Sequence, residues 1–200
     1  MNLTPLLISS WEVGLSFSAY HQSIKDLVAN KKTSGLNQSQ SFVDFTKLNA
    51  SRMNRRLKAT IIGDEIKGLI TNKPMKILAI TEAWCGDTAQ TLPYFQRLSQ
   101  ETNIPFKLCF RDENGDLMNQ FLTNESKSIP IVIFMNDAFE VLAQWGPRPS
   151  PLQKIVMDYK LQTEPKPSYD EFSINIQQWY NNDQSKTLEN ELITIIKGID

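Results

Sequence analysis

Residues 75–95, MKILAITEAWCGDTAQTLPYF, change character in the middle. MKILAIT is a short continuous apolar segment, the mark of a strand buried on both faces. From Gly86 onward Leu92, Phe95 and Leu98 recur at helical spacing. A buried strand handed to a helix within five residues needs further layers to cover it, which points to an α/β architecture.

The rest of the chain supplies those layers. IPFKLCF at 104–110 reads as a second buried strand, closed by the polar RDENGD. A short helix is expected from about Gly115 to Leu122, with Leu117, Met118, Phe121 and Leu122 on its apolar side. IPIVIFM and EVLAQW, separated by NDAF, read as two strands of a hairpin. The central order is therefore β-α-β-α-β-β.

Both ends read as helical. Phe17, Tyr20, Ile24, Leu27 and Val28 form one stripe; Leu48, Met53, Leu57, Ile61, Ile62, Ile66 and Leu69 form a second, with NKKTSGLNQSQS as the loop between them. After WGPRPSP, stripes follow at Leu152, Ile155, Val156 and Tyr159, at Phe172, Ile176 and Trp179, and at Leu188, Leu192 and Ile195. Ser168 and Glu171 have the spacing of a capping box. This gives a helical extension over 1–70, a core over 71–150 and a second helical extension over 151–200, expected to form one globular unit.

Composition narrows the function. With 21 basic and 22 acidic residues, no overall field draws nucleic acid or an anionic membrane to the protein. The N-terminal MNLTPLLISSWEVG lacks a basic n-region and a small-residue cleavage site, and no window approaches a spanning helix. A cytoplasmic protein is expected. Two cysteines, Cys85 and Cys109, are too few for a secreted disulfide scaffold and fit a reducing compartment.

From about Met75 to Gly146 the chain resembles thioredoxin. The likeness rests on a buried strand, Trp84-Cys85-Gly86 at a helix N-terminus, Pro93 inside that helix, and Ile129-Pro130 opening the last hairpin, 45 residues after Cys85. It implies a thioredoxin-like fold, a central mixed sheet flanked by helices, with extra helices at both termini. It also implies a cis proline at Pro130 beside the reactive cysteine. TEAWCGDTAQTLP, RDEN, SIP and WGPRP further resemble a bacterial subgroup whose motif begins WCGD.

One sulfur of the usual pair is missing. Three residues after Cys85, where a dithiol protein has its second cysteine, stands Thr88. Thiol-disulfide exchange needs a thiolate to attack and a second thiol to resolve the mixed disulfide. At a helix mouth the Cys85 thiolate is favoured by unpaired N–H groups and the dipole, and Thr88 can offer it a hydroxyl. Asp87 works against this by raising the thiol pKa. The buried acid that thioredoxins keep six residues before the cysteine is replaced by Ala79; Glu82 and Asp87 are the acids nearby.

Cys109, mid-strand, reads as a small buried hydrophobe rather than a resolving thiol. The resolving thiol is then external, a small molecule such as glutathione or a second protein. The expected site comprises Cys85 as nucleophile with Thr88 supporting it, and Trp84, Gly86, Asp87, Ile129 and Pro130 forming the substrate groove. No metal-ligand spacing or cofactor motif appears; a low-molecular-weight thiol enters only as co-substrate. His21 and the basic run RMNRRLK at 52–58 read as solvated faces, Trp145 as an anchor of the sheet end over the reactive turn, and Arg148 as the partner of an acid. A redox-inactive binding or chaperone module with the same groove fits the sequence as well.

Overall fold

The computed structural model describes residues 3–71 and 73–199. Met1 and Asn2 of the expected N-terminal extension, Asn72 of the expected core and Asp200 of the expected C-terminal extension lie outside them. The helices are α1 (Thr4–Val13), α2 (Phe17–Ala29), α3 (Gln40–Ala59), α4 (Asp64–Ile70), α5 (Gly86–Thr102), α6 (Gly115–Met118), α7 (Ser150–Leu161), α8 (Tyr169–Asp183) and α9 (Lys186–Lys197). The strands are β1 (Leu15–Ser16), β2 (Lys76–Thr81), β3 (Phe106–Phe110), β4 (Ile131–Met135) and β5 (Val141–Trp145). They form one mixed sheet in the order β1-β3-β2-β4-β5.

The apolar run of β2 exists because both of its faces are covered. Ile77 and Ala79 point into a core shared with α2, α3, α4, α5 and α9, whereas Leu78 and Ile80 point into a second core with α1 and α6. On β4 the same alternation sends Val132 and Phe134 one way and Ile131, Ile133 and Met135 the other. β2 runs parallel to β3 and antiparallel to β4, which pairs in a hairpin with β5. This is the thioredoxin-like arrangement, a mixed sheet between helical layers with further helices at both ends.

Four local expectations are corrected. The stripe from Leu48 to Leu69 breaks at 60–63, with Gly63 as N-cap of α4 and Ile61 85% exposed. The helix expected over 115–122 stops at Met118; Phe121 is buried but Leu122 is exposed. β1 is a two-residue strand antiparallel to β3 that periodicity does not register. His21 is half-buried against the Phe17 ring, 6.1 Å between centroids, and burial lowers its pKa. The capping box does form: Ser168 Oγ accepts from Glu171 N while the Glu171 carboxylate accepts from Ser168 N.

The end of β5 is pressed against the start of β4. Gly146 has φ +121°, and a Cβ there would sit 2.2 Å from the carbonyl oxygen of Pro130. Both the backbone conformation and the contact therefore require glycine. Gly146→Ala is expected to destabilise the fold by about 1–3 kcal/mol, read as a lower urea midpoint at unchanged m-value. An unchanged midpoint would show that the two segments are not packed this way.

Candidate functional site

α5 begins where β2 ends, and the connection sets Cys85 as its N-cap residue. The Cys85 thiol donates to the carbonyl oxygen of Ile129 at 3.4 Å, across the cleft floor from the helix mouth. Ile129-Pro130 is a cis peptide. Cys85 N–H donates to Glu82 O, which closes the turn through Ala83 and Trp84.

Two elements from outside the central sheet frame this turn. From α3, Phe42 stacks on Trp84 with ring centroids 4.9 Å apart, and Asn49 Nδ2 donates to Ala83 O at 3.1 Å. From α8, the Tyr180 hydroxyl donates to Asp87 Oδ1 at 2.9 Å, and Gln177 accepts from Gln90 of α5. Between α3, α8 and the turn lies a cleft of about 230 Å³. Trp84, Cys85, Gly86, Asp87 and Ile129 line it. Thr88 and Pro130 are buried behind it and do not line it.

The sulfur is less available than a helix mouth alone implies. Cys85 is 6% exposed, and its burial pushes the thiol up to about 11, with the Asp87 charge adding to the rise. Thr88, through its hydroxyl and its N–H, and the Arg148 guanidinium pull the other way and lose. The expectation that the helix mouth favours a thiolate is thereby corrected: desolvation of a charged sulfur outweighs the helix N-terminus. Thr88 also shares its hydroxyl with Thr81, at 2.8 Å.

Asp87 is held among cations. Arg148 Nη2 lies 2.6 Å from its Oδ2, Tyr180 donates to its other oxygen, and Arg52 contributes at longer range. Burial nonetheless lifts its carboxyl above the ordinary aspartate range. Glu82 faces elsewhere: its carboxylate accepts from Ser34 Oγ and from Asp112 N. It fastens the 33–35 loop and the end of β3 to the end of β2. Ala79, at the position of the missing acid, is fully buried in the core.

Other side chains take places that the sequence did not announce. Arg52 lines the cleft and Arg56 is buried, donating to Ser185 Oγ, so RMNRRLK is not simply a solvated face. The periodicity of α3 holds the signal: Asn49, Met53 and Arg56 are buried on one side, with Arg52 beside them. Arg111, Lys127 and Tyr169 also line the cleft, the Arg111 guanidinium 4.9 Å from the Trp84 ring centroid. Trp145 packs on Phe95 and donates to Glu191 of α9, which ties the sheet end to the last helix instead of roofing the reactive turn. Cys109 is 5% exposed, and burial pushes its thiol up to about 12.

Both cysteines are free thiols. Among the described residues no group of three or more His, Cys, Asp and Glu is placed to hold a metal ion, and no helix is long and apolar enough to cross a membrane.

Residues 35–160 match the family model described as thioredoxin. No curated protein matches the sequence significantly. Among solved structures, a protein of unknown function from Pseudomonas aeruginosa is similar, with a TM-score of 0.62 at 16% identity, over 94% of this chain and 95% of that one. So is an HIV epitope-scaffold, with a TM-score of 0.61 at 15% identity, over 96% of this chain and 98% of that one. At these identities the two structures speak for the fold.

Proposed function

Since the chain belongs to the thioredoxin family, whose fold points to redox-related work, we propose that it performs single-cysteine thiol-disulfide exchange through Cys85. We further propose that it sits in the bacterial subgroup whose motif begins WCGD and works in the cytoplasm, where thiols stay reduced. The observation that carries the reading is the position of the Cys85 sulfur: it lies on the wall of a cleft, at the start of α5, bonded to the carbonyl that precedes Pro130.

The resting form is the protonated thiol, since Cys85 donates its hydrogen to a carbonyl oxygen. Exchange begins when that proton leaves and the thiolate attacks a disulfide sulfur. Thr88 then steadies the charge, while Trp84, Gly86, Asp87 and Ile129 shape the groove around the incoming sulfur and Pro130 backs it. Cys109 is 5% exposed in the interior of β3, with burial pushing its thiol up to about 12, so the resolving thiol is taken to come from outside.

The second reading, a redox-inactive binding module with the same cleft, is favoured by the 6% exposure of Cys85. Incubation with a disulfide followed by mass spectrometry separates the two. Exchange predicts a mixed disulfide on Cys85 that is absent in Cys85→Ser and reversed by added thiol. Its rate should climb about tenfold per pH unit, because thiolate is the minor form until the pH nears the thiol pKa, at about 11. Absence of any adduct up to pH 10 leaves only the binding module.

A further inference from the structure

The cleft has a charge of its own. Among the described residues that line it, Arg52, Arg111, Lys127 and Arg148 are cationic and Asp87 alone is anionic. The chain as a whole is balanced at 21 to 22, so the excess is local to this site. Asp87 is already matched by Arg148 and Tyr180. Arg111 is partly matched by Asp112, at 2.8 Å.

Arg52 and Lys127 make no ion pair among the described residues. Arg52 spends one donor on the neutral oxygen of Asn49, and burial together with Arg55 lowers its pKa against the opposing pull of Asp87. Partly desolvated cations around a concave site attract and orient carboxylates, with the guanidinium groups able to bind them in two-point fashion. The shape is also informative. Its walls are formed by α3 and α8 on either side of the turn, a concave shape that suits a small molecule better than a loop of a folded protein.

Resting on the exchange reading above, we infer that the partner of Cys85 is a low-molecular-weight disulfide bearing carboxylates, held by Arg52, Arg111 and Lys127 with its sulfurs toward Ile129. In the first step Cys85 gives its proton to solvent and its thiolate attacks the nearer sulfur. The ligand S–S bond breaks as the Cys85–ligand disulfide forms, and the departing half leaves as a thiolate that takes up a proton. A second thiol of the same class then attacks the ligand sulfur, restoring the Cys85 thiol and forming a new small disulfide. Trp84 and Tyr169 provide the apolar wall against the ligand body.

The test uses the full chain and three symmetric disulfides that differ in charge: glutathione disulfide, bis(2-hydroxyethyl) disulfide and cystamine. Mixed-disulfide formation on Cys85 is followed by mass spectrometry at low and at high sodium chloride. The anionic disulfide is expected to react faster than the neutral one by about tenfold at low salt and the cationic one slowest, with the spread collapsing at high salt. Lys127→Glu, an exposed position, should narrow the order or reverse it without changing the urea midpoint.

Equal rates for all three, or a spread that ignores salt and Lys127→Glu, overturn the inference while leaving exchange in place. A non-reacting probe, S-methylglutathione, separates the opposite failure. If it binds at low salt and weakens in Lys127→Glu while no disulfide reacts, the anionic cleft stands and the exchange reading falls.

Discussion

Asp87→Asn accelerates alkylation of Cys85 by iodoacetamide at pH 7, by about threefold. Two causes act in the same direction. The substitution removes the carboxylate that raises the Cys85 thiol, and it frees the Arg148 guanidinium, which already lowers it, from its counter-charge. Each unit by which a thiol pKa falls increases the thiolate about tenfold and reduces its nucleophilicity about threefold, leaving a net gain of about threefold per unit. Burial, the larger cause of the rise, stays in place, so the gain is a few-fold and not the full return to an ordinary thiol.

Stability should move the other way. The asparagine side chain can still accept from Tyr180, but Arg148, with its side chain 19% exposed, loses its ion partner, at a cost of about 1–3 kcal/mol. The pH dependence supplies a further check. The Cys85 thiol is raised from an ordinary 9.0 to about 11, so between those values the folded state keeps a proton that the unfolded state has released. Its contribution is fully present below pH 9 and is lost as the pH rises toward 11. In Asp87→Asn that alkaline loss should shrink. An alkylation rate that is unchanged or lower, in a variant with native circular dichroism, would show that Asp87 does not control the thiol.

The residues that could be read from the sequence are those whose role is set by their neighbours along the chain. β2 and β4 were legible because burial on both faces leaves a continuous apolar run. The β4-β5 hairpin was legible from its turn, and the α8 start from Ser168 and Glu171. The Trp84-Cys85-Gly86 turn followed from the strand-to-helix handover and from the thioredoxin resemblance.

What failed depended on contacts across long separations. β1 is specified only by its pairing with β3. Ile61 and Ile62 continue an apolar stripe, yet the backbone leaves the helix at Thr60 and Gly63 N–H donates to Glu189, 126 residues away, a contact periodicity does not register. The balance at the Cys85 thiol was not legible for the same reason. The local helix mouth argues for a thiolate, but the sulfur is buried in the second core with side chains of β2, β3, β4 and α6, an arrangement that periodicity alone does not place. Arg52 and Arg56 read as solvent-facing for want of α8 and Ser185.

The strongest dependence of the site on distant sequence is its reliance on α8 and α9. Removal of residues 162–200 is expected to abolish cooperative folding. Phe172, Tyr180, Leu188, Leu192 and Ile196 are each at most 7% exposed, and the last three belong to the same core as Ile77 and Phe95. At about 1.5–3 kcal/mol for each fully buried side chain, their loss amounts to about 8–15 kcal/mol, the whole stability of an ordinary domain. The deletion also strips partners from Arg56, Gly63 and Trp145, and from Asp87 itself. The truncated chain should unfold without a sigmoidal urea transition and should lose near-UV circular dichroism. Leu192→Ala in the full chain, expected to cost about 2–5 kcal/mol, tests the same packing where a truncation cannot be purified. A truncated protein that unfolds cooperatively with native near-UV signal would show that the sheet and its cleft stand without the C-terminal helices.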